Sequence, residues 1–95
     1  MFDASKLTDN AFLRQYELKI GKELATLEYS QQERKIFLTK LNIPEVLMSE
    51  SFLENFLKLV LENIIEKDIS VVPTSPPVAK FIRRNRRYRK MLPVG

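Results

Sequence analysis

The chain has 95 residues, 44% of them hydrophobic, and a formal net charge of +4, which suits one small domain with one modest core. It contains neither cysteine nor histidine, excluding a disulfide framework, a thiolate nucleophile, zinc chemistry, a soft metal site and any catalytic pair built on His or Cys. No run approaches the roughly 18–20 apolar residues that span a bilayer, and the N-terminus lacks the basic start and apolar core of a signal peptide, so no membrane partner and a cytoplasmic location are expected.

Residues 1–11 are polar and are expected to form a flexible terminus. A single domain is expected over 12–92, with 93–95 as a tail. Phe12, Tyr16, Leu18 and Ile20 fall on one side of an alternating pattern, and Gln15, Glu17 and Lys19 on the other. Gly21-Lys22 supplies a turn, ELATLEYS a second extended run, and the polar residues 30–33 a loop. Over residues 34–43, Phe37, Thr39, Leu41 and Ile43 alternate with Ile36, Leu38 and Lys40. The pattern reads as three strands joined by hairpins. Phe12, Tyr16, Ile20 and Leu24 also recur at helical spacing among good helix formers, so pattern alone leaves an all-α bundle as the alternative. The β-branched and aromatic content of residues 34–43 favours a strand there. Tyr29 and Phe37 are expected to serve packing.

Pro44 biases Ile43 towards an extended conformation, and the chain changes character there. From Phe52 onward apolar residues fall at 52, 53, 56, 57, 60, 61, 64 and 65, the spacing of a helix that covers one face of a sheet. Ser51 and Glu54 fit a capping box with Ser51 at the N-cap. After Asp68, ISVVP is a short apolar run that suits an internal strand, parallel to its neighbour after the helical crossover. Pro73, Pro76 and Pro77 make a stiff turn. Pro77 suits the first turn of a last helix whose Val78, Phe81 and Ile82 face the sheet. Asn85 tolerates a left-handed conformation and is expected to split this helix.

Charge is unevenly placed. Residues 1–70 carry nine bases and twelve acids, whereas residues 71–95 carry seven bases and no acid. Arg83, Arg84, Arg86, Arg87, Arg89 and Lys90 surround Tyr88. Arginine forks match phosphates and carboxylates, and a tyrosine can stack on a base, so this patch is a candidate site for nucleic acid or an acidic protein. Cations in a last helical turn also simply complement the helix dipole.

Glu28-Tyr29, the IFLTKLNIPE segment at 36–45, a helix, and VVPTSPPVAKFIRRNRRYRKML at 71–92 follow one another in an order that resembles the short GCN5-related N-acetyltransferases. The most specific part of the match runs through Val71, Val72, Pro73, Pro76, Val78, Phe81, Ile82, Arg84 and Tyr88, against the family's V-V-P-L-C-P-F-V-x-x-[FY]-[IL]-x-R-H-P-x-[YW]. The resemblance covers residues 12–92. It implies an α+β fold: an antiparallel three-strand meander, a long helix, a fourth strand parallel to the third, and a C-terminal helix. It also implies acetyl transfer from acetyl-CoA to an amine, with no metal, and coenzyme A held partly by the backbone from Leu41 to Ile43.

The departures from the family fall where that chemistry sits. The family's R-G-x-G-[IL]-[GA] loop corresponds to Met48, Ser49, Glu50, Ser51, Phe52 and Leu53. Its glycines let the backbone approach the cofactor pyrophosphate, whose charge rests on amides at a helix start. Here the cation is gone, both glycines bear side chains, and Glu50 and Glu54 bring carboxylates to that end. A carboxylate about 4–6 Å from a phosphate costs roughly 3–4 kcal/mol at an effective dielectric near 20. Losing the arginine contact removes on the order of 1.5–3 kcal/mol more, and solvent exposure softens both without reversing their sign.

The cysteine of the family's P-L-C-P-F segment corresponds to Ser75. A serine with no histidine in the chain has no ordinary activating base, so Ser75 reads first as a turn hydroxyl and second as a catalytic position. Glu45, kept from the family-like I-P-E, reads first as a solvated carboxylate and second as a chemical group. Three functions follow from the sequence: an acetyltransferase-like domain impaired in using acetyl-CoA, a working acetyltransferase that holds its cofactor by another route, and a binding module that uses the basic C-terminal patch.

Overall fold

Apolar residues recurring between less buried positions, as in Tyr16 and Leu18 or Ile36 and Leu38, build the inner face of the sheet. A computed structural model describes residues 6–93. Its strands are β1 (Leu7–Asn10), β2 (Gln15–Ile20), β3 (Glu23–Gln32), β4 (Lys35–Asn42) and β5 (Ser70–Pro73). They lie side by side in chain order, antiparallel throughout except for the parallel pair β4–β5. The helices are α1 (Glu50–Ile65), α2 (Pro76–Arg84) and the short α3 (Arg86–Arg89). The α+β architecture implied by the resemblance is therefore present, and the all-α alternative is excluded.

One face of the sheet carries the core. Tyr16 and Leu18 of β2, Ala25 and Leu27 of β3, Ile36 and Leu38 of β4 and Val71 of β5 are fully buried. They form one cluster with Phe52, Phe56, Leu57, Val60, Leu61 and Ile64 of α1 and Val78, Phe81 and Ile82 of α2. Each Val, Leu, Ile or Phe side chain among them contributes roughly 1.5–3 kcal/mol when fully buried. The period of α1 and the three residues expected to face the sheet from α2 are thus as the sequence pattern predicts.

The structure corrects the sequence reading at several points. The terminus expected to be flexible through residue 11 includes β1, whose Leu7–Asn10 pair with Gln15–Leu18; residues 1–5 lie outside the described residues. β1 has no apolar alternation to advertise it and is held by polar contacts instead. The Asp9 carboxylate accepts from Lys67 Nζ at 2.6 Å and from the Tyr29 hydroxyl at 2.6 Å. Phe12 does not join the inward side of β2 but stands 94% exposed in the β1–β2 turn. The expected loop at 30–33 is mostly strand, since β3 continues to Gln32 and turns through Glu33 at φ 52°. Asn85 does divide α2 from α3, yet with an extended backbone (φ −117°, ψ 107°) in place of a left-handed one. Its side-chain amide donates back to the Phe81 carbonyl at 2.7 Å.

The most consequential difference lies in β4. Glu28 of β3 pairs with Lys40, but the next residue, Tyr29, pairs with Leu38. Thr39 is therefore an extra residue, a β-bulge that bends the strand and shifts its facing by one. Its hydroxyl donates to the Glu28 carbonyl at 3.1 Å. Ile36 and Leu38 lie in the core before the bulge, and Leu41 and Ile43 pack against it afterwards. Phe37 is consequently not on the same side as Leu41, as strict alternation predicts.

Candidate functional site

The bulge and the end of β5 together open the sheet. The parallel register runs from Lys35↔Ser70 to Leu38↔Pro73 and then stops. The Leu38 carbonyl closes it by accepting from the Thr74 amide at 3.1 Å, the Ser75 amide at 3.3 Å and the Thr74 hydroxyl at 3.1 Å. β4 continues to Asn42 paired only with β3. Leu41 lies on this unaccompanied stretch and Ile43 just beyond its end, at the carboxyl ends of two parallel strands, where open α/β sheets place their ligands.

The chain then passes through a 3-10 turn, Glu45–Leu47, into α1. Ser49 is the N-cap: its backbone is extended (φ −153°) and its hydroxyl accepts from the Phe52 amide at 3.0 Å. The Ser49 carbonyl takes the Leu53 amide at 3.0 Å. Ser51, expected to be the cap, is exposed in the first turn, and its carbonyl accepts from the Asn55 side chain at 2.8 Å. The two serines lie two residues apart, and the true cap is the one whose backbone is still extended.

Between α1 and α2 runs a groove of ≈ 750 Å³. Met48, Ser49, Glu50 and Leu53 line it together with Glu54. Of the other loop positions, Phe52 is buried in the core and Ser51 is not in the groove lining. Lys58, Lys80 and Arg84 face the same groove. Lys58 and Lys80 escape a motif reading, although Lys80 and Arg84 stand four residues apart on one helical face, a spacing that signals shared exposure. The groove is thus of mixed sign, with two carboxylates near the start of α1 and three cations farther along.

Neither candidate catalytic residue has a partner set for chemistry. Ser75 is buried, at the N-cap of α2, but its side chain makes no capping bond. Its backbone does the work expected of the hydroxyl: the amide donates to Leu38 and the carbonyl accepts from Ala79 at 2.9 Å. Glu45 is exposed in the 3-10 turn and lies outside the groove lining.

The basic segment is divided by the kink at Asn85. Arg84 faces the groove, whereas Arg86, Arg87 and Lys90 line a second cleft with Arg34 at the opposite end of α1. Arg83 and Arg89 are exposed. Tyr88 is only 5% exposed, lies against Phe81 with ring centroids 5.8 Å apart, and donates its hydroxyl to Glu62 Oε2 at 2.8 Å. It is a packing residue and offers no surface to a base, which corrects the stacking role inferred for it. Arg87 is likewise committed: its Nε and Nη2 grip the two Glu62 oxygens at 2.7 and 2.8 Å. The Arg87 guanidinium, aided by Tyr88, holds the Glu62 carboxyl down at about 2. Burial, then the Glu62 carboxylate, pushes the Tyr88 hydroxyl up to about 12.

A second polar network closes the far side of α1. The Tyr16 hydroxyl donates to Asn63 Oδ1 at 2.9 Å and accepts from Lys67 Nζ at 3.3 Å. Burial raises the Tyr16 and Tyr29 hydroxyls, Tyr29 with the further push of Asp9. For Lys67 burial alone acts downwards, but its bonds to Asp9 and Tyr16 outweigh that and leave the ammonium favoured. These groups tie β1 and β2 to α1 and lie away from the groove.

Among the described residues no three His, Cys, Asp or Glu side chains converge to hold a metal ion, and no helix is long and apolar enough to cross a membrane. A family model described as GCN5-related N-acetyl-transferase matches residues 15–91. No curated protein matches the chain.

Proposed function

Since the chain belongs to the GCN5-related N-acetyltransferase family, we propose that it is an acetyltransferase-like domain impaired in its use of acetyl-CoA. The single observation that carries this reading is the Ser49 cap: a side chain of the chain itself takes the Phe52 amide, one of the donors that a helix start offers to an anion. Glu50 and Glu54 on the same groove add repulsion towards a diphosphate. The residues at this turn therefore do not fit the cofactor's diphosphate in the way the family loop does, and no transfer step is assigned to Ser75 or Glu45.

A working enzyme is the second reading, and a specific feature favours it. The last four residues of β4 run on without β5, leaving backbone beside which an extended amide-bearing arm can lie. Lys58, Lys80 and Arg84 add positive charge along the groove. Calorimetric titration with acetyl-CoA, run beside a turnover assay on small amines, separates the two. Impairment predicts affinity weaker than ~100 μM, near −5.5 kcal/mol, and no turnover. Binding at tens of micromolar or tighter with measurable transfer supports the second reading and removes the first.

A further inference from the structure

The second cleft, of ≈ 760 Å³, lies where β4 and β5 begin and α1 ends. Its floor is aliphatic: Ile65, Ile69 and Met91. Met91 is fixed there because its carbonyl accepts from the Val71 amide at 2.8 Å. Its rim is cationic, with Arg34 from the β3–β4 turn, Arg86 from α3 and Lys90 just beyond. Arg87 is held by Glu62, but Arg34, Arg86 and Lys90 form no ion pair with any described residue. Asp68 is the one carboxylate among the described residues lining the cleft.

We propose that this cleft docks an acidic peptide segment, seating one aliphatic side chain on Ile65, Ile69 and Met91 between carboxylates held by Arg34, Arg86 and Lys90. The volume lies within the range of ligand pockets, about 300–1,000 Å³. Arginine forks match carboxylates two bonds at a time. A nucleic-acid strand fits the same surface less well. Sequence-independent affinity for nucleic acid grows with the number of phosphates neutralised, and three unpaired cations line this cleft among the described residues. No aromatic ring is among the described lining residues to stack on a base, and Tyr88 is buried. An aliphatic floor gains nothing from a phosphate but does gain from an apolar side chain. The inference is independent of acetyl-CoA, because the two recesses share no lining residue.

Fluorescence anisotropy at moderate salt tests it, with three labelled probes: the peptide G-E-E-L-E-E-G, the same peptide with serine in place of leucine, and a short single-stranded oligonucleotide. The leucine peptide is expected to bind at least about fivefold more tightly than the serine peptide, from burial of one aliphatic side chain. The double variant Arg34→Glu/Arg86→Glu weakens it by at least about tenfold through charge reversal. Lys90→Glu alone weakens it by a smaller factor, and Lys22→Glu, in the β2–β3 turn, leaves it unchanged. Circular dichroism confirms that each variant is folded, and the single change stands in if the double variant is not. Equal affinity for the two peptides, tighter binding of the oligonucleotide, or no peptide binding overturns the proposal.

Discussion

The two ends of α1 are finished in opposite ways. At its start, Ser49 caps the helix, and Glu50 and Glu54 lie near the positive end of its dipole. At its end, Glu62 is gripped by Arg87 and Tyr88, and Lys67 is held by Asp9 and Tyr16. A carboxylate in the first turn complements the dipole, whereas the last turn carries no base and its Glu62 carboxylate is offset by Arg87 of α3, so each end is satisfied by groups of the chain itself. The consequences differ. At the start, on the function proposed above, the same groups would compete with an anionic cofactor for the helix amides. At the end, they pin α3 and β1 in place and leave Arg34, Arg86 and Lys90 unpaired beside a cleft. If both proposals hold, self-sufficiency removes a binding site at one end and frames one at the other.

The largest way to break this contrast is to reopen the first end. The combination Met48→Arg, Ser49→Gly, Ser51→Gly and Glu54→Gln is expected to raise acetyl-CoA affinity by about a hundredfold, near 2.8 kcal/mol, measured by calorimetry. The cost to the helix is modest: glycine at the Ser49 N-cap loses a few tenths of a kcal/mol, and glycine within the first turn at 51 roughly 0.5 kcal/mol more.

A smaller test addresses the other end. Glu62→Gln removes the Arg87 pair and the charged partner of Tyr88. Because the Glu62 side chain is 42% exposed, screening reduces the expected cost to roughly 1 kcal/mol at neutral pH, read from urea unfolding. The folded value near 2 lies below the unfolded 4.5. The stabilisation is therefore full above pH 4.5 and lost as pH falls towards 2. The variant is expected to show a correspondingly flatter acid limb.

Ser49→Ala is expected to cost about 1 kcal/mol and Ser51→Ala less than about 0.5 kcal/mol. Equal effects in thermal melts place the cap elsewhere. A similarly small effect is expected at the β1 anchor, where Asp9→Asn costs about 0.5 kcal/mol, an exposed pair being weak. The same change brings the Tyr29 hydroxyl down towards the ordinary value of 10.0 in an ultraviolet titration, since Asp9 contributes to raising it. Because the folded Tyr29 value is raised, its contribution to stability is complete below pH 10.0 and is lost as pH rises through the folded value.

Much of this architecture is legible in the amino-acid order, for physical reasons that also explain what is not. The doublets from Phe52 to Ile65 are an unambiguous helical stripe, and Pro76-Pro77 marks the start of α2 where two missing amide hydrogens cost nothing. β1 is silent because Leu7–Asn10 is held by Asp9 and Asn10 side chains and carries only one apolar residue. Such polar anchoring has no period. The bulge does leave a trace: the core-facing residues of β4 and the residue that follows it step from 36 to 38 and then to 41 and 43, a step of three in a pattern of twos. At the site, the serines at 49 and 51, where the family resemblance implies glycine, are plain in the sequence, but which serine caps depends on backbone angles. The presence of Lys58 and Lys80 in the groove depends on how α2 packs beside α1. The approach of Arg34 to Arg86 and Lys90 is a tertiary fact that sequence spacing does not contain.

The most direct test of the closed helix start is an amide chemical-shift titration of the isotopically labelled protein with coenzyme A. Closure predicts that the amides of Glu50, Ser51, Phe52 and Leu53 keep their positions as coenzyme A reaches about tenfold excess, with Phe52 protected from hydrogen exchange by its bond to Ser49. Large saturable shifts at those four amides, with loss of the Phe52 protection, would mean that the ligand displaces the cap and would contradict the account.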